Sequence, residues 1–257
     1  MKSLVFIKIG GSLLTDKSVP YQLNSDFIAK LGKLLPRKLP KDTDFIIGTG
    51  GGSFGHYEAT RYKLNKPIKT SRQILGAAVT HLSVQKLQQI VAQKFLDAGK
   101  PIFTMSPSSF CEVKNGKIIA RTEIIESAFK NGFIPLVHGD GAFDDQKKVR
   151  IISTESVGLA ILQSLKKKYS QMTAIFLTNV DGIIKDGEVM SSINRAEFCD
   201  FKAVASKSFD VTNGIYEKIE MGLQSTNLGI KTIIANGNTG DVVKKILRGD
   251  KIGTKLS

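Results

Sequence analysis

Short apolar runs alternate along this chain with longer segments of helical periodicity, and this alternation limits the fold more than any other feature. Each run has five or six residues, and at least half of them are apolar. Such runs are typical of parallel strands that are covered on both faces of a sheet. The predicted strands are residues 4–9, 44–49, 101–105, 133–138, 173–178 and 231–236. Because helical segments separate these runs, we expect βαβ units and an α/β fold.

Capping residues between the runs mark where helices begin. A helix capped by Asn24 or Ser25 should end near Pro36, and a long helix capped by Ser71 should reach Gly99. Further helices are predicted after Thr122, after Ser153 and over residues 213–225.

Two dipeptides predict β-hairpins within this α/β pattern. Asn115-Gly116 and Asp186-Gly187 each lie between β-like segments, and both are typical of two-residue hairpin turns. No internal repeat or linker interrupts the chain. We therefore expect residues 1–257 to form a single domain, with different ligands bound on either side of about residue 170.

The composition limits the class of protein and its partners. Apolar residues make up 41% of the 257 residues, enough for a sizeable core. The net charge of +14 favours anionic partners, which include phosphorylated metabolites, nucleic acid and membrane surfaces. The densest basic run is only residues 166–168, and aromatic residues are 7% of the chain. Nucleic acid is therefore a minor option.

The cysteines and the apolar runs indicate a cellular setting. Cys111 and Cys199 make no disulfide framework, which favours a reducing, intracellular location. The first apolar run is broken by Lys8 and is too short for a signal peptide, and no run is long enough to span a membrane. We expect a soluble cytoplasmic protein.

A glycine-rich stretch, GTGGGSFGH, occupies residues 48–56 between a predicted strand and a helix. It contains the pattern G-x-G-x-x-G, but a dinucleotide site also needs an acidic residue about 20 positions further on. After Glu58 the next acidic residue is Asp97, so that partner is missing. Two interpretations remain: a tight turn that packs the helix on the strand, or a loop whose backbone N–H groups bind phosphate.

Two other segments repeat the combination of glycine and a nearby cation. Gly10 and Gly11 follow the first strand between Lys8 and Lys17. Asn213-Gly214 begins a predicted helix that carries Lys218 in its first turns. Three such sites favour phosphate binding over turns alone.

The glycine segments also carry a family resemblance. In order along residues 8–254 the chain reads KIGGS, TDK, GGGSFGH, NVDGI, NGIYEK and IGT. It thereby resembles the amino acid kinase superfamily and, within it, the isopentenyl phosphate kinases, whose mark is the histidine that ends GGGSFGH. The resemblance implies a three-layer αβα sandwich with a mostly parallel sheet and a homodimer. It also implies ATP with Mg²⁺, and isopentenyl phosphate as the acceptor in an alternative mevalonate route, with residues 1–170 holding the acceptor and 171–257 the nucleotide.

The resemblance assigns roles to individual residues, and none is assigned to a metal. The implied catalytic residues are Lys8, Lys17, His56 and Lys218. The implied ATP-binding residues are Lys8, Ile9, Gly10, Gly11, Ser12, Gly52, Asp181, Gly214 and Lys218. Gly51, His56 and Thr154 are implied to bind the acceptor, and Glu155 to orient the lysines.

The chain departs from the family pattern at residues 152–156, which read ISTES where ISGDD is usual. Thr154 replaces a glycine that would touch the acceptor, and Glu155 keeps the negative charge on a longer side chain. The identity of the acceptor is therefore open at this point. A change of Gly to Asn213 is mild, because Asn tolerates left-handed backbone geometry.

Residues outside the motifs give weaker expectations. We expect His81 to pack within its helix and His138 to lie near the acceptor without touching it. Ala77, Ala78, Val79 and Leu82 are candidates for an apolar pocket that holds an isoprenoid tail.

Three alternatives to an isopentenyl phosphate kinase remain at this stage. The first is a phosphonate kinase of the fosfomycin-resistance type. The second is a nucleotide-binding regulatory protein in which Thr154 and Glu155 mark lost catalysis. The third is a nucleic-acid-binding protein, whose binding would weaken steeply with salt.

Overall fold

The computed structural model describes residues 2–16, 18–65, 68–145, 148–205 and 213–257, with the backbone alone for 201–205 and 213–214. The strands are β1 (Ser3–Ile9), β2 (Thr43–Thr49), β3 (Ile102–Thr104), β4 (Cys111–Lys114), β5 (Lys117–Ala120), β6 (Ile134–His138), β7 (Asp140–Asp144), β8 (Val149–Ile152), β9 (Gln171–Thr178), β10 (Ile184–Lys185), β11 (Glu188–Val189), β12 (Ser192–Ile193), β13 (Lys231–Asn236) and β14 (Thr254–Leu256). The helices are α1 (Gly11–Leu14), α2 (Ser25–Lys30), α3 (Gly52–Arg61), α4 (Ser71–Asp97), α5 (Glu123–Lys130), α6 (Thr154–Leu165), α7 (Arg195–Ala205), α8 (Asn213–Asn227) and α9 (Val242–Arg248).

An eight-stranded sheet forms the middle layer, in the order β12-β14-β13-β9-β1-β2-β6-β3. Its neighbouring strands are parallel except for β13 and β14. The six predicted strands are all in this sheet, and the prediction of a mostly parallel α/β fold is confirmed. A smaller sheet has the order β5-β4-β7-β8.

The alternation of side chains along β1 separates two apolar layers. Leu4 and Phe6 point to the face where α6 and α8 pack, and Val5 and Ile7 point to the face where α2 and α4 pack. Lys8 has the same parity as Leu4 and Phe6, so its side chain leaves the sheet on the α6 face. Helices therefore cover both faces of the sheet, which gives the predicted three layers.

The helix starts follow the expected caps with one correction. Helix α4 is capped by Thr70, not by Ser71, because Thr70 and Gln73 form a capping box. Asn24 caps α2 through a bond from the Phe27 N–H, and Ser153 caps α6. Helix α2 ends at Lys30 and continues as a 3₁₀ turn, so it stops before the predicted end near Pro36.

Both predicted hairpin turns are present. Asn115 and Gly116 have φ angles of 48° and 74°, and Asp186 and Gly187 have φ angles of 52° and 82°. Two successive residues with positive φ are the geometry of a type I′ turn. The turns connect β4 to β5 and β10 to β11.

Candidate active site

Five parallel strands of the central sheet, β1, β2, β6, β9 and β13, end at one edge, and the residues at their ends bring the predicted site together. The turn after β1 donates from the Gly10 N–H to the Leu177 carbonyl of β9 at 2.9 Å. The turn after β2 donates from the Gly50 N–H to the Ile9 carbonyl of β1 at 2.9 Å. In open α/β sheets the carboxyl edge of the strands is where ligands bind.

The glycine turns after β1 and β2 touch through their backbones. A Cβ atom on Gly50 would lie 2.6 Å from the Gly11 nitrogen, and a Cβ on Gly11 would lie 2.6 Å from the Gly52 nitrogen. Gly52 also has a φ of 49°, which favours glycine. These glycines are therefore required for the approach of the two turns, which places the first N–H groups of α1 and α3 side by side.

Thr15 joins the same two turns through its side chain. Its hydroxyl accepts from the Ser53 N–H and donates to the Gly11 carbonyl, both at 2.9 Å. The residue is buried, at 2% exposure. Because Ser53 lies in the first turn of α3, this bond fixes the start of that helix against the turn that follows β1.

Lys8 and Glu155 form a buried ion pair beside the glycine turns. The Lys8 Nζ lies 2.6 Å from Oε1 of Glu155, and both side chains are less than a tenth exposed. Burial alone raises the pKa of Glu155, but the charges of Lys8 and then Lys218 outweigh it, so the pKa is lowered overall. The carboxylate therefore interacts with both lysines that the resemblance implies to be catalytic and to bind ATP.

Gly48 on β2 has no side chain, which leaves room for the Thr154 side chain at the start of α6. A Cβ atom on Gly48 would lie 2.7 Å from the Thr154 methyl group, and the Thr154 hydroxyl donates to the Thr49 carbonyl at 2.8 Å. Thr154 is 2% exposed. Because the Thr154 hydroxyl already bonds to β2, only the backbone of Thr154 could contact a ligand at the start of α6.

The histidines lie on the side of the site where β2 and β6 end. His56 is one turn into α3 and exposed. His138, the last residue of β6, is buried, and its Nδ1 donates to the Gly139 carbonyl at 2.8 Å. Its Nε2 is buried and has no hydrogen-bond partner among the described residues. Burial lowers the pKa of His138, which favours the neutral form of the ring.

His81 pairs with a carboxylate, so the prediction that it packs within its helix was wrong. Its Nδ1 lies 2.6 Å from Oδ1 of Asp140, and its side chain is about one-third exposed. Asp140 also accepts from the Ser108 and Gly141 N–H groups. The sequence carried no sign of this cluster, because the two side chains are 59 residues apart.

The opposite side of the site lies where β9 and β13 end. Asn236 donates to the Asp181 carboxylate at 2.9 Å, and Ser12 donates to the Asn179 side chain at 3.3 Å. Ser12, Asn179 and Asp16 line one part of a polar cavity of about 600 Å³. The Asp181 loop is thus tied to β13, and the Ser12 turn to the end of β9.

Three sets of predicted residues remain without a structural role. Lys17 lies outside the described residues, and Gly214 is described by its backbone alone, in the first turn of α8. The candidates for a tail pocket, Ala77, Ala78, Val79 and Leu82, all lie on α4 and none of them is buried. Their roles stay predictions.

Within the described ranges, no group of three or more His, Cys, Asp or Glu side chains is arranged to hold a metal ion. No helix in those ranges is long and apolar enough to cross a membrane.

The fold and the site together define a class of protein. An open, mostly parallel sheet carries two touching glycine turns at its carboxyl edge, and a buried lysine lies beside them. Backbone N–H groups and lysine ammonium groups are what phosphoryl transfer needs. This is the architecture of a kinase.

Comparison with known proteins identifies the family. A sequence model of the amino acid kinase family matches residues 3–236, and this chain belongs to that family. The isopentenyl phosphate kinase of Methanocaldococcus jannaschii is 28% identical, with 98% of each chain covered. That of Methanothermobacter thermautotrophicus is 26% identical, with 99% of each covered. A solved structure of isopentenyl phosphate kinase superposes with a TM-score of 0.78 at 25% identity, over 99% of this chain and 100% of the other.

Proposed function

We propose that this kinase transfers the γ-phosphoryl group of ATP to isopentenyl phosphate, which gives isopentenyl diphosphate for isoprenoid synthesis by an alternative mevalonate route. The observation that carries the proposal is the meeting of two glycine turns beside the buried Lys8 at one edge of the sheet. Near-full-length relatives that are named isopentenyl phosphate kinases support this choice of acceptor. The phosphonate-kinase and regulatory alternatives are not favoured.

The residues present fit ATP at the first glycine turn. Gly50 and Gly11 are so close that a side chain on either would fill the space between the turns, and the first N–H groups of a helix have no partner within it. Those donors bind phosphate oxygens without desolvating a side chain. The proposed nucleotide contacts are Lys8, Ile9, Gly10, Gly11, Ser12, Gly52, Asp181, Gly214 and Lys218.

The acceptor is itself a phosphate monoester, which is mostly dianionic near neutral pH. The reaction therefore needs no general base, and the chain has to position two anionic groups and neutralise their charge. We assign His56 and the Gly51 backbone to the acceptor phosphate, because α3 begins where the two glycine turns meet. The Thr154 backbone, at the start of α6, lies on the same side.

Lys8 is the cation that we place against the transferring group. Its ammonium is held by Glu155 in a nearly dry site, where a charge acts more strongly than in water. Lys218 adds a second positive charge near the same carboxylate. We also propose that Lys17 contributes a third.

Magnesium is proposed as the metal that accompanies ATP. The chain has no all-protein cage for it among the described residues, and Mg²⁺ is usually held by substrate phosphates, water and one or two carboxylates. The ion would supply further neutralisation of the phosphate charge.

We propose that the two halves of the chain divide the ligands at about residue 170. Strands β2 and β6, which end beside the histidines, come from the first half. Strands β9 and β13, which end beside Asp181, come from the second half. The acceptor would bind residues 1–170. The nucleotide would bind residues 171–257 and would also reach the glycine turns of the first half, with the turn after β1 between the two ligands.

A homodimer in the cytoplasm is the proposed state of the protein. Phe103 on the edge strand β3 and Phe133 beside it are exposed, with ring centroids 5.3 Å apart next to a cavity of about 520 Å³. Light scattering should give a mass near twice 28.0 kDa, and Phe103→Asp should give monomers.

The free thiols of Cys111 and Cys199 suit a reducing compartment.

Transfer of a labelled γ-phosphoryl group tests the function directly. The label from ATP should appear in isopentenyl diphosphate, and dimethylallyl phosphate should compete with isopentenyl phosphate for it. Transfer to fosfomycin that dimethylallyl phosphate does not inhibit would favour the phosphonate kinase instead.

A further inference from the structure

The segment that follows the first glycine turn folds back on that turn as a hairpin. Thr15 pairs with Leu23 in an antiparallel bridge, and the Asp16 N–H donates to the Gln22 carbonyl at 3.0 Å. Residues 18–24 form its second half, and we call them the arm. In sequence the arm directly follows Lys17, one of the lysines that the family resemblance implies to be catalytic.

One side chain of the arm, Tyr21, reaches across to α3. Its ring makes edge contacts with Phe54 and Tyr57, at centroid distances of 5.3 and 5.8 Å. Its hydroxyl donates to the carboxylate of Glu58. Tyr21 has a φ of 59°, a left-handed conformation that a tyrosine rarely adopts, so the backbone of the arm bends to allow this contact.

Glu58 is a buried carboxylate on α3 that lies near two polar side chains, Tyr21 and Arg61. It is 1% exposed, whereas a carboxylate avoids burial unless it is paired. Its Oε1 accepts from Tyr21, while Oε2 is buried without a hydrogen bond and lies 3.7 Å from Arg61. Burial and the bond to Glu58 raise the pKa of Tyr21 to about 12, so the phenol stays protonated and donates its hydrogen bond at neutral pH.

The two residues join the parts of the site that bind different ligands in the proposed reaction. The arm follows the turn after β1, residues 10–15, which we call the nucleotide turn because it would hold ATP. Glu58 is two positions from His56 on α3, the helix assigned to the acceptor. We propose that Tyr21 and Glu58 are a positioning pair that holds the arm on α3 and so fixes the nucleotide turn relative to His56. The kinetic part of this inference rests on the proposed function.

Kinetics of matched variants test the positioning role. Tyr21→Phe and Glu58→Leu should each lower kcat roughly tenfold, with the KM for ATP changed by less than about twofold, because alignment is lost while binding groups remain. Glu58→Gln keeps an oxygen that accepts from the phenol and should recover most of the rate. Tyr57→Phe is the control. Tyr57 belongs to the same aromatic cluster, but its hydroxyl makes no hydrogen bond among the described residues.

The double variant Tyr21→Phe/Glu58→Leu should be no slower than either single variant, because one contact is lost in all three. Rate losses that multiply in the double variant, or an unchanged kcat in Tyr21→Phe, would overturn the positioning role. Melting temperatures of all variants show whether a rate change is only a loss of folded protein.

Amide hydrogen exchange tests the contact without any turnover. In Tyr21→Phe and Glu58→Leu the amides of residues 18, 19 and 21–24 should exchange about ten times faster than in the unaltered protein, while those of β1 stay the same. Unchanged exchange in the arm would disprove the contact. If the unaltered protein fails to phosphorylate isopentenyl phosphate, the proposed function falls, and exchange still decides whether the pair holds the arm.

Discussion

Lys8 and Glu155 are 147 positions apart in the chain, yet the Lys8 ammonium lies 2.6 Å from the Glu155 carboxylate, with both side chains buried. The alternation of β1 sends Lys8 to the α6 face of the sheet, and the Ser153 cap starts α6 so that Glu155 falls in its first turn. Neither group would be stable alone in that place, so each requires the other.

Removing the charge of Glu155 should damage both activity and stability. In Glu155→Gln the Lys8 ammonium stays buried without its counter-charge, which costs about 3–5 kcal/mol of unfolding free energy in comparable pairs. We expect kcat to fall by roughly a hundredfold, since the lysine is no longer held in place. Urea unfolding and ADP-release kinetics measure the two effects. Glu155→Asp keeps the charge on a shorter side chain, so it should lose less activity and less stability than Glu155→Gln.

The ion pair should also give a defined pH dependence. The pKa of Glu155 in the folded protein is lowered below its ordinary value of 4.5, so the stabilising contribution is full above pH 4.5. It declines as the pH falls from there through the folded pKa. The difference in unfolding free energy between the unaltered protein and Glu155→Gln should therefore be constant from neutral pH down to about 5 and shrink below it. A difference that grows on acidification would contradict the assignment.

Gly48 and Thr154 should behave as a coupled pair. A methyl group at position 48 would meet the Thr154 methyl at 2.7 Å and the Phe6 ring at 2.9 Å, so Gly48→Ala overpacks the interface of β2 and α6. Such overpacking costs about 1–3 kcal/mol. Thr154→Gly should recover part of that loss in the double variant, as measured by urea unfolding. Additive losses would show that the two residues do not share the space.

His56→Ala should remove most of the activity while ATP binding remains near normal. The reason is its proposed place on the acceptor side, one turn into α3, away from the Asp181 side of the site. Isothermal titration with ATP and turnover with isopentenyl phosphate separate the two effects. Normal turnover in His56→Ala would remove His56 from the acceptor site.

The pattern of apolar runs predicted β1, β2, β6, β9 and β13 because most of their residues are buried, which leaves a clear run in the sequence. It also predicted the short edge strand β3, in which only Ile102 is buried. It missed β7 and β8, which have five and four residues; burial alternates along β7, and only the last residue of β8 is buried. The cap of α4 could have been predicted from the sequence, since Thr70 and Gln73 have the spacing of a capping box.

The glycine sites were predictable, but their contacts were not. That Gly50 and Gly11 touch follows from the parallel pairing of β1 with β2, which no local pattern contains. The links from His81 to Asp140 and from Tyr21 to Glu58 depend on packing between distant segments. Sequence reasoning therefore named Glu155 as the partner of the lysines, which agrees with its pairing to Lys8, and it missed the contacts of His81 and Tyr21.

ADP release in the presence of ATP and Mg²⁺, with isopentenyl phosphate and fosfomycin as parallel acceptors, tests the central claim most directly. We predict release that depends on isopentenyl phosphate and is absent with fosfomycin. Such a result would also show that Thr154 and Glu155 are compatible with catalysis. No release with either acceptor, from protein that binds ATP, would contradict the proposed function.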